Sequence, residues 1–296
     1  MKDLLVQQTV SKIVSIKGVG VHTGEDVNLT IKPAAANTGI EFIRIDLKDN
    51  NHIKATYTNV IETNLCTVIA NEAGAKVSTI EHLMSALWGC GVDNAIVELD
   101  GEEVPIMDGS SAPFVEMLKK AGLKLLNAPR KVLEILKAVR LEVDGKTIEI
   151  LPGKEFEVSF DLDYDHKSIG KQFYTFKECM LGYIATISKA RTFGFAKDVE
   201  CLKKIGLARG ASLENAVGID DDGVMNKEGL RYQDEFVRHK VLDCIGDLYL
   251  SCMRIKGKVH AAKAGHSLNN LILRKLFAQP DAFRILEEKV LVTHAA

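Results

Sequence analysis

The chain has 296 residues, enough for about two domains of ordinary size, each with its own hydrophobic core. Lys and Arg number 38 and Asp and Glu number 40, which leaves a formal net charge of −2. Because positive charge is not in excess, the composition does not indicate binding to nucleic acid. We therefore expect no nucleic-acid partner. The apolar share of 46% and the charged share of 26% are typical of globular proteins and exclude long disordered segments.

The cysteines are too far apart in the sequence for a CxxC redox pair or a zinc site built from thiolates. They are Cys66, Cys90, Cys179, Cys201, Cys244 and Cys252. This pattern predicts reduced, mostly buried thiols. Near the N-terminus Asp3, Gln7 and Gln8 interrupt the apolar stretch that a signal peptide needs, and no segment reaches the ~18 apolar residues of a membrane span. We therefore expect a cytoplasmic chain without a transmembrane segment.

The first half is predicted to begin with strands, in VSIKGVGVHTGEDVNLTIKPA and GIEFIRIDL. A helix is predicted from Ser78 to Trp88, where Ser78 and Glu81 have the spacing of a capping box and Gly89 and Gly91 end the helical pattern. The segment AIVELDGEEVPIMDGSS returns to strand and turn. APFVEMLKKAGL then predicts a second amphipathic helix with proline in its first turn.

Residues 125–130, LLNAPR, combine the end of a helical pattern with Asn and Pro, so we place a domain boundary there, giving domains 1–127 and 128–296. The second half again begins with strands, in VLEILKAVRLEV, KTIEILPG and EFEVSFDLDY, and continues into helices. Strands first and helices afterwards in each half predict an α+β protein of two similar domains, each a β-sheet layered against helices.

A long helix is predicted around RYQDEFVRHKVLDCIGDLYLSCM, with His239, Asp243 and Asp247 at positions i, i+4 and i+8. These three side chains fall within about 80° of one another on one face. The opposite face is apolar and is predicted to contact the core. Spacing alone leaves two interpretations open, a solvated face with a His–Asp pair or a pair of metal ligands one turn apart.

Two further segments offer polar groups for such a metal site. Glu81 and His82 stand side by side at the start of the first predicted helix, where a carboxylate next to a ligand suits a general base. The alternative is that Glu81 only closes the capping box on Ser78. His266 follows a glycine in the turn after Lys263 and is either a structural histidine or the proton donor for a leaving amine.

Six blocks of the sequence resemble the signature blocks of the zinc-dependent UDP-3-O-acyl-N-acetylglucosamine deacetylases. They are GVGVHTG, STIEHLMSAL, DGEEVPIMDGSSAPF, ISKARTFGF, DEFVRHKVLDCIGDLYL and KAGHSLNN. The blocks keep the family's order and span nearly the whole chain. The resemblance implies a cytoplasmic enzyme of Gram-negative bacteria that removes acetate from a UDP-linked, 3-O-acylated N-acetylglucosamine. This reaction is the committed step of lipid A biosynthesis, and the active site is expected at the domain interface.

The resemblance also implies roles for individual residues. It implies one catalytic Zn²⁺, with Fe²⁺ as the alternative, and the ligands His82, His239 and Asp243. Glu81 corresponds to the general base, His266 to the catalytic histidine and Asp247 to the carboxylate that supports it. The hydroxyl of Thr192 corresponds to the group that stabilises the oxyanion.

Further residues are expected to contact the substrate. Lys240 and Lys263 are the nearest cations for the diphosphate, and Tyr164 corresponds to an aromatic residue that stacks on the uracil. A β-α-β insertion at about residues 194–220 is expected to form an apolar passage for the acyl chain, with Val217 in its lining.

Five more residues are expected in or near the site. Phe193 and Phe195 flank the oxyanion-stabilising threonine, and Cys66 lines the site without acting as a nucleophile. Cys244, beside a metal ligand, is expected to pack instead of competing for the metal. His22 is expected behind the residues that contact the substrate.

Two other functions remain open from the sequence. The chain is alternatively a zinc amidase for another nucleotide sugar, which would act equally well on a substrate without the 3-O-acyl group. A regulatory protein that binds UDP-sugar lipids through an inert metal site would not need Glu81, Thr192 and His266 together. Whatever its function, we expect the chain to be a monomer.

Overall fold

The computed structural model describes residues 6–287. The α-helices in this range are α1 (Glu81–Cys90), α2 (Ala112–Ala121), α3 (Met180–Thr186), α4 (Ala196–Lys204), α5 (Glu235–Leu248) and α6 (His266–Phe277). The strands up to residue 129 are β1 (Val6–Val10), β2 (Val14–Val19), β3 (Asp26–Pro33), β4 (Ile40–Arg44), β5 (His52–Lys54), β6 (Val60–Glu62), β7 (Val68–Ala70), β8 (Lys76–Val77), β9 (Ala95–Leu99) and β10 (Leu123–Pro129). The later strands are β11 (Lys131–Ile135), β12 (Val139–Val143), β13 (Lys146–Pro152), β14 (Glu157–Asp163), β15 (Lys171–Lys177), β16 (Phe193–Phe195), β17 (Val217–Ile219), β18 (Arg254–Ala262) and β19 (Phe283–Glu287).

The main sheets of the two halves repeat one topology. The first has the order β2-β3-β9-β4-β5, and the second contains the order β12-β13-β18-β14-β15. In the second sheet β11 also pairs with β18, in parallel, and β19 pairs with β11. Within these two five-strand orders every neighbouring pair is antiparallel except the third strand with the fourth, which is parallel. The predicted α+β fold with two halves of similar topology is confirmed.

The strand β10 joins the two halves. It pairs antiparallel with β1, and the boundary expected after residue 127 falls inside it. The division into domains at this residue stays a prediction.

Helices α1 and α5 pack against each other in the middle of the molecule. Every residue of α1 is buried, and α5 is buried on nearly all its sides. Gly246 allows the close approach, because a Cβ atom at this position would lie 2.1 Å from the carbonyl oxygen of Glu81. The first turn of α1 and the second half of α5 therefore meet directly.

The capping box expected at the start of α1 is absent, and this interpretation was wrong. The helix begins at Glu81, and the Ser78 hydroxyl donates instead to the carbonyl oxygen of Glu102 at 3.0 Å. Gly91, with a φ of 80°, ends α1 as expected. Gly89 instead lies inside the helix, against the ring of Tyr183. Only glycine fits at this position, because a Cβ atom there would overlap that ring.

Residues 193–219 leave the second sheet and form a strand, a helix and a strand. β16 and β17 pair in parallel, and α4 connects them. The residues expected to surround the acyl chain thus form a small separate unit on the second half. Its role in acyl binding stays a prediction.

The cysteines are free thiols, but the expectation that most are buried was wrong. Cys66, Cys90 and Cys244 are buried, whereas the other three are exposed. No helix within residues 6–287 is both long and apolar enough to cross a membrane.

Candidate metal centre and active site

Three buried side chains from α1 and α5 form a candidate metal-binding group. His82 is the second residue of α1, and His239 and Asp243 lie one turn apart on α5. Each offers a ligand atom, and these atoms lie within 4.8 Å of one another. The three residues are at most 4% exposed, so the interpretation of the α5 face as a solvated surface was wrong.

The spacing of the ligand atoms fits a tetrahedral metal ion. Asp243 Oδ1 is 3.5 Å from His82 Nε2 and 3.2 Å from His239 Nε2. Ligand atoms about 2.0–2.1 Å from a tetrahedral ion are about 3.3 Å apart. Asp243 Oδ1 has no hydrogen-bond partner among residues 6–287, which a buried carboxylate oxygen rarely tolerates unless an ion is bound.

The protonation states of the group also suit a metal. His239 Nδ1 is 3.1 Å from the carbonyl oxygen of Ala190, which fixes the proton on that nitrogen and leaves the lone pair of Nε2 free for a ligand bond. Burial lowers the pKa of His239 to about 3. Burial raises the pKa of Asp243, but the electrostatic interactions with His239 and Lys240 outweigh it and hold that pKa well below its usual value. A neutral imidazole and an ionised carboxylate are the forms that bind metal.

Glu81 and His266 lie beside the metal-binding group and face each other. Glu81 is the first residue of α1, and His266 is the first residue of α6. Glu81 Oε1 lies 3.8 Å from His266 Nε2. The second carboxylate oxygen of Glu81 accepts the backbone N–H of Thr67 at 3.0 Å. Burial raises the pKa of Glu81. A carboxylate of raised pKa next to a metal group suits proton transfer near neutral pH.

Asp247 holds the other nitrogen of His266. Its Oδ2 is 2.8 Å from His266 Nδ1 and accepts the side-chain amide of Asn269 at 2.8 Å, while Oδ1 accepts the Thr67 hydroxyl at 2.6 Å. Burial alone lowers the pKa of His266, but the charges of Asp247 and Glu81 and the hydrogen bond to Asp247 outweigh it and raise the pKa to about 9. His266 is therefore protonated at neutral pH.

A cavity of about 610 Å³ opens over these residues. The predicted site residues in its lining are His22, Cys66, Glu81, His82, Tyr164, Thr192, Phe193, Phe195, Val217, His239, Lys240, Asp243 and His266. Lys263 is not in the lining, because its ammonium pairs with Asp163 at 2.8 Å on the surface. The predicted part played by Lys263 in diphosphate binding stays a prediction without a contact to the cavity.

The aromatic residues form one wall of the cavity. The ring centroid of Tyr164 lies 5.9 Å from that of Phe193 and 6.0 Å from that of Phe195. Lys240 Nζ lies 5.6 Å from the Phe193 ring centroid and 2.9 Å from Asp243 Oδ2. The wall therefore carries a cation close to the metal-binding group.

Thr192 is held in place by its backbone. Its N–H donates to Gly109 and its carbonyl oxygen accepts the N–H of Val217, each at 2.8 Å. The preceding Arg191 makes a buried ion pair with Glu235 at the start of α5, at 2.9 Å. The segment that contains Thr192 is thus connected to α5, the helix that carries His239 and Asp243.

The remaining predicted residues pack around the site. The N–H of His22 donates to Glu103 at 2.9 Å, and burial lowers the pKa of His22. Burial raises the pKa of Cys66 to about 12, so this thiol is a poor nucleophile. Cys244 is fully buried in the core and packs, as expected.

Sequence reasoning missed Thr67, Asn269, Glu103 and Arg191, which hold the functional side chains in place. None of them has a spacing that signals chemistry. Asn269 carried the best available hint, because it lies on the same helical face as His266, three residues later.

The fold and the site define a class of protein: a metal-dependent amide hydrolase with two α+β halves around a buried metal-binding group. Over residues 7–278 the chain matches the LpxC family, described as UDP-3-O-acyl N-acetylglycosamine deacetylase. The chain belongs to this family.

Similar proteins carry the corresponding name. A UDP-3-O-acyl-N-acetylglucosamine deacetylase of Geobacter sp. (strain M21) is 47% identical over 284 residues, covering 96% of this chain and 93% of the relative. The protein of that name from Colwellia psychrerythraea (strain 34H / ATCC BAA-681) is 48% identical, covering 95% of this chain and 92% of the relative. A third protein of that name, from Geotalea uraniireducens (strain Rf4), is 48% identical, covering 95% of this chain and 91% of the relative.

Proposed function

We propose that this chain hydrolyses the N-acetyl group of UDP-3-O-acyl-N-acetylglucosamine, releasing acetate and the free amine, as the committed step of lipid A biosynthesis. One observation carries the proposal. The metal-binding group of His82, His239 and Asp243 lies beside the facing pair Glu81 and His266, in a chain of the deacetylase family.

We propose one Zn²⁺ as the ion, with Fe²⁺ as the alternative. When bound, the ion supplies Lewis-acid polarisation of the acetyl carbonyl and lowers the pKa of a water molecule. Two imidazoles and one carboxylate leave a fourth position open, as catalytic zinc sites require.

The residues of the chain carry the protons. Glu81 Oε1 takes a proton from the water molecule while the water oxygen bonds to the acetyl carbon. The Thr192 hydroxyl donates to the oxyanion that develops, a contribution worth about 3–4 kcal/mol for one well-placed donor. His266 Nε2 then donates its proton to the amine nitrogen as the C–N bond breaks, while Asp247 keeps the imidazolium oriented.

The cavity is suited to the rest of the substrate. Phe193, Phe195 and Val217 offer an apolar surface that continues into the β16-α4-β17 unit, where we place the acyl chain. Lys240 is the cation nearest to the metal group and is assigned to the diphosphate, with Tyr164 assigned to the uracil. We further propose that the chain works as a monomer in the cytoplasm.

Comparison of two substrates tests this function against a general amidase. We expect rapid acetate release from UDP-3-O-acyl-N-acetylglucosamine and a sharp loss of kcat/KM with UDP-N-acetylglucosamine, which has a free 3-hydroxyl. Equal rates on both substrates would favour a general amidase. Binding of the acylated substrate without any acetate release would favour a regulatory protein.

A further inference from the structure

One residue, Thr67, hydrogen-bonds both carboxylates that face His266. Its backbone N–H donates to Glu81 Oε2 at 3.0 Å, and its hydroxyl donates to Asp247 Oδ1 at 2.6 Å. Thr67 is 1% exposed, so neither hydrogen bond competes with bulk water. It lies immediately before β7, far in sequence from both α5 and α6.

These two contacts select which oxygen of each carboxylate faces the imidazole. Thr67 occupies Oε2 of Glu81, and the remaining oxygen, Oε1, is the one 3.8 Å from His266 Nε2. It occupies Oδ1 of Asp247, and the remaining Oδ2 is the one 2.8 Å from His266 Nδ1. A carboxylate is free to rotate about its last side-chain bond unless such contacts fix it.

The Thr67 hydroxyl is the contact to Asp247 that comes from the opposite half of the molecule. Asn269 Nδ2 also donates to Asp247, but to Oδ2, the oxygen that contacts His266. It therefore makes no contact that would fix Oδ1. The Thr67 side chain connects the segment before β7 to α5 directly across the site. A short hydrogen bond from a hydroxyl to a buried carboxylate oxygen is among the strong ones.

We propose that Thr67 is a positioning residue for proton transfer, which aligns Asp247, and with it His266, toward the catalytic carboxylate of Glu81. This inference rests on the proposed deacetylation. In this role Thr67 does not contact the substrate and does not transfer a proton during the reaction. Loss of its hydroxyl should therefore slow turnover without weakening substrate binding.

The substitutions Thr67→Val and Thr67→Ser separate the hydroxyl from the shape of the side chain. Valine keeps the shape and the backbone N–H but loses the donor, and serine keeps the donor but loses the methyl group. Thr9→Val is the matched control, because Thr9 is also 1% exposed and its hydroxyl accepts the N–H of Ala34 at 2.9 Å, outside the cavity lining. Steady-state kinetics of acetate release, zinc content and the thermal unfolding midpoint are measured for wild type and all three variants.

We expect Thr67→Val to lower kcat by about tenfold to a hundredfold, the range for a lost hydrogen bond to a charged group, with KM within about threefold of wild type. Thr67→Ser should restore kcat to within about threefold of wild type, and Thr9→Val should leave kcat unchanged.

Three results would overturn the role of Thr67. They are a kcat of Thr67→Val within about threefold of wild type, an equal loss in Thr67→Ser, or a change confined to KM. Failure of the proposed function looks different, because wild type itself would then release no acetate.

Discussion

His266 is held between two carboxylates of different function. Its Nδ1 is 2.8 Å from Asp247, and its Nε2 faces Glu81 at 3.8 Å. Burial alone would remove its proton, whereas the neighbouring charges retain it and raise the pKa to about 9. The residue is thus protonated at the pH at which a leaving amine needs a proton.

The pH dependence of the reaction follows from this pKa. Because His266 must be protonated to act, kcat should fall as the pH rises through its pKa. Asp247→Asn removes the charge that raises the pKa most, so the alkaline limb should move to lower pH by at least about one unit. The pH profile of kcat checks this. Asp161→Asn, which alters the half-buried partner of His260, is the control and should leave the profile unchanged. An unmoved alkaline limb in Asp247→Asn would contradict the assignment.

Glu81 should be essential for turnover but not for metal binding. Glu81→Gln keeps the size of the side chain and the acceptor for Thr67 but cannot take a proton. We expect kcat to fall by about 10²- to 10⁴-fold, the usual contribution of a general base, with the zinc content unchanged. Single-turnover kinetics and metal analysis measure both. Glu116→Gln, at an exposed position, should match wild type. Near-normal turnover in the zinc-loaded Glu81→Gln variant would exclude this role.

At the scale of elements, the contact of α1 with α5 determines the geometry of the site. Their contact includes Gly246, which lies between Asp243 and Asp247 on α5 and opposite the backbone of Glu81. The helices cannot move apart without separating His82 from the two ligands on α5. Small changes at Gly246 should therefore affect stability and chemistry together.

Gly246→Ala tests this contact. Its Cβ would lie 2.1 Å from the carbonyl oxygen of Glu81, a backbone atom that cannot move aside alone. We expect a loss of about 1–3 kcal/mol in the free energy of unfolding, together with weaker zinc binding. Gly101→Ala, whose Cβ would be 3.4 Å from its nearest neighbour, should cost far less. Denaturant unfolding and zinc titration check both variants, and equal effects in the two would contradict the role of the contact.

A buried ion pair fixes the start of α5. Glu235 is fully buried and binds Arg191, whose second carboxylate partner, Glu228, is largely exposed. Glu235→Gln leaves the guanidinium without its buried counter-charge and should cost about 3–5 kcal/mol of unfolding free energy. Glu228→Gln should cost at most about 1 kcal/mol, since the Glu228 side chain itself is largely in solvent. Thermal and denaturant unfolding measure the difference. Similar losses for both variants would show that burial of the pair is unimportant.

At the scale of the whole molecule, much of the fold could be predicted from the sequence. Strands before helices in each half predicted the repeated α+β architecture, and the spacing of His239, Asp243 and Asp247 predicted their common face. That face is buried because α1 covers it, which no periodicity within α5 can indicate. For the same reason the capping box was wrong: the side chain of Glu81 takes part in a tertiary contact with Thr67 instead of a local one.

The parts that could not be predicted depend on pairs distant in sequence. Thr67 and Asp247 are 180 positions apart, and Arg191 and Glu235 are 44 apart. None of these residues lies in a sequence pattern that indicates its partner, because each pair forms only when distant segments pack together. The net charge of −2 is compatible with the diphosphate contact proposed for Lys240, since one placed cation does not make the surface basic.

Zinc titration of the metal-free protein tests the central claim most directly. The ion is removed by chelation, and the initial rate of acetate release from UDP-3-O-acyl-N-acetylglucosamine is followed as Zn²⁺ is added back. The account predicts no acetate release from the metal-free protein and a rise to a plateau at one Zn²⁺ per chain. A full rate without metal, or a plateau that needs a second ion, would contradict it.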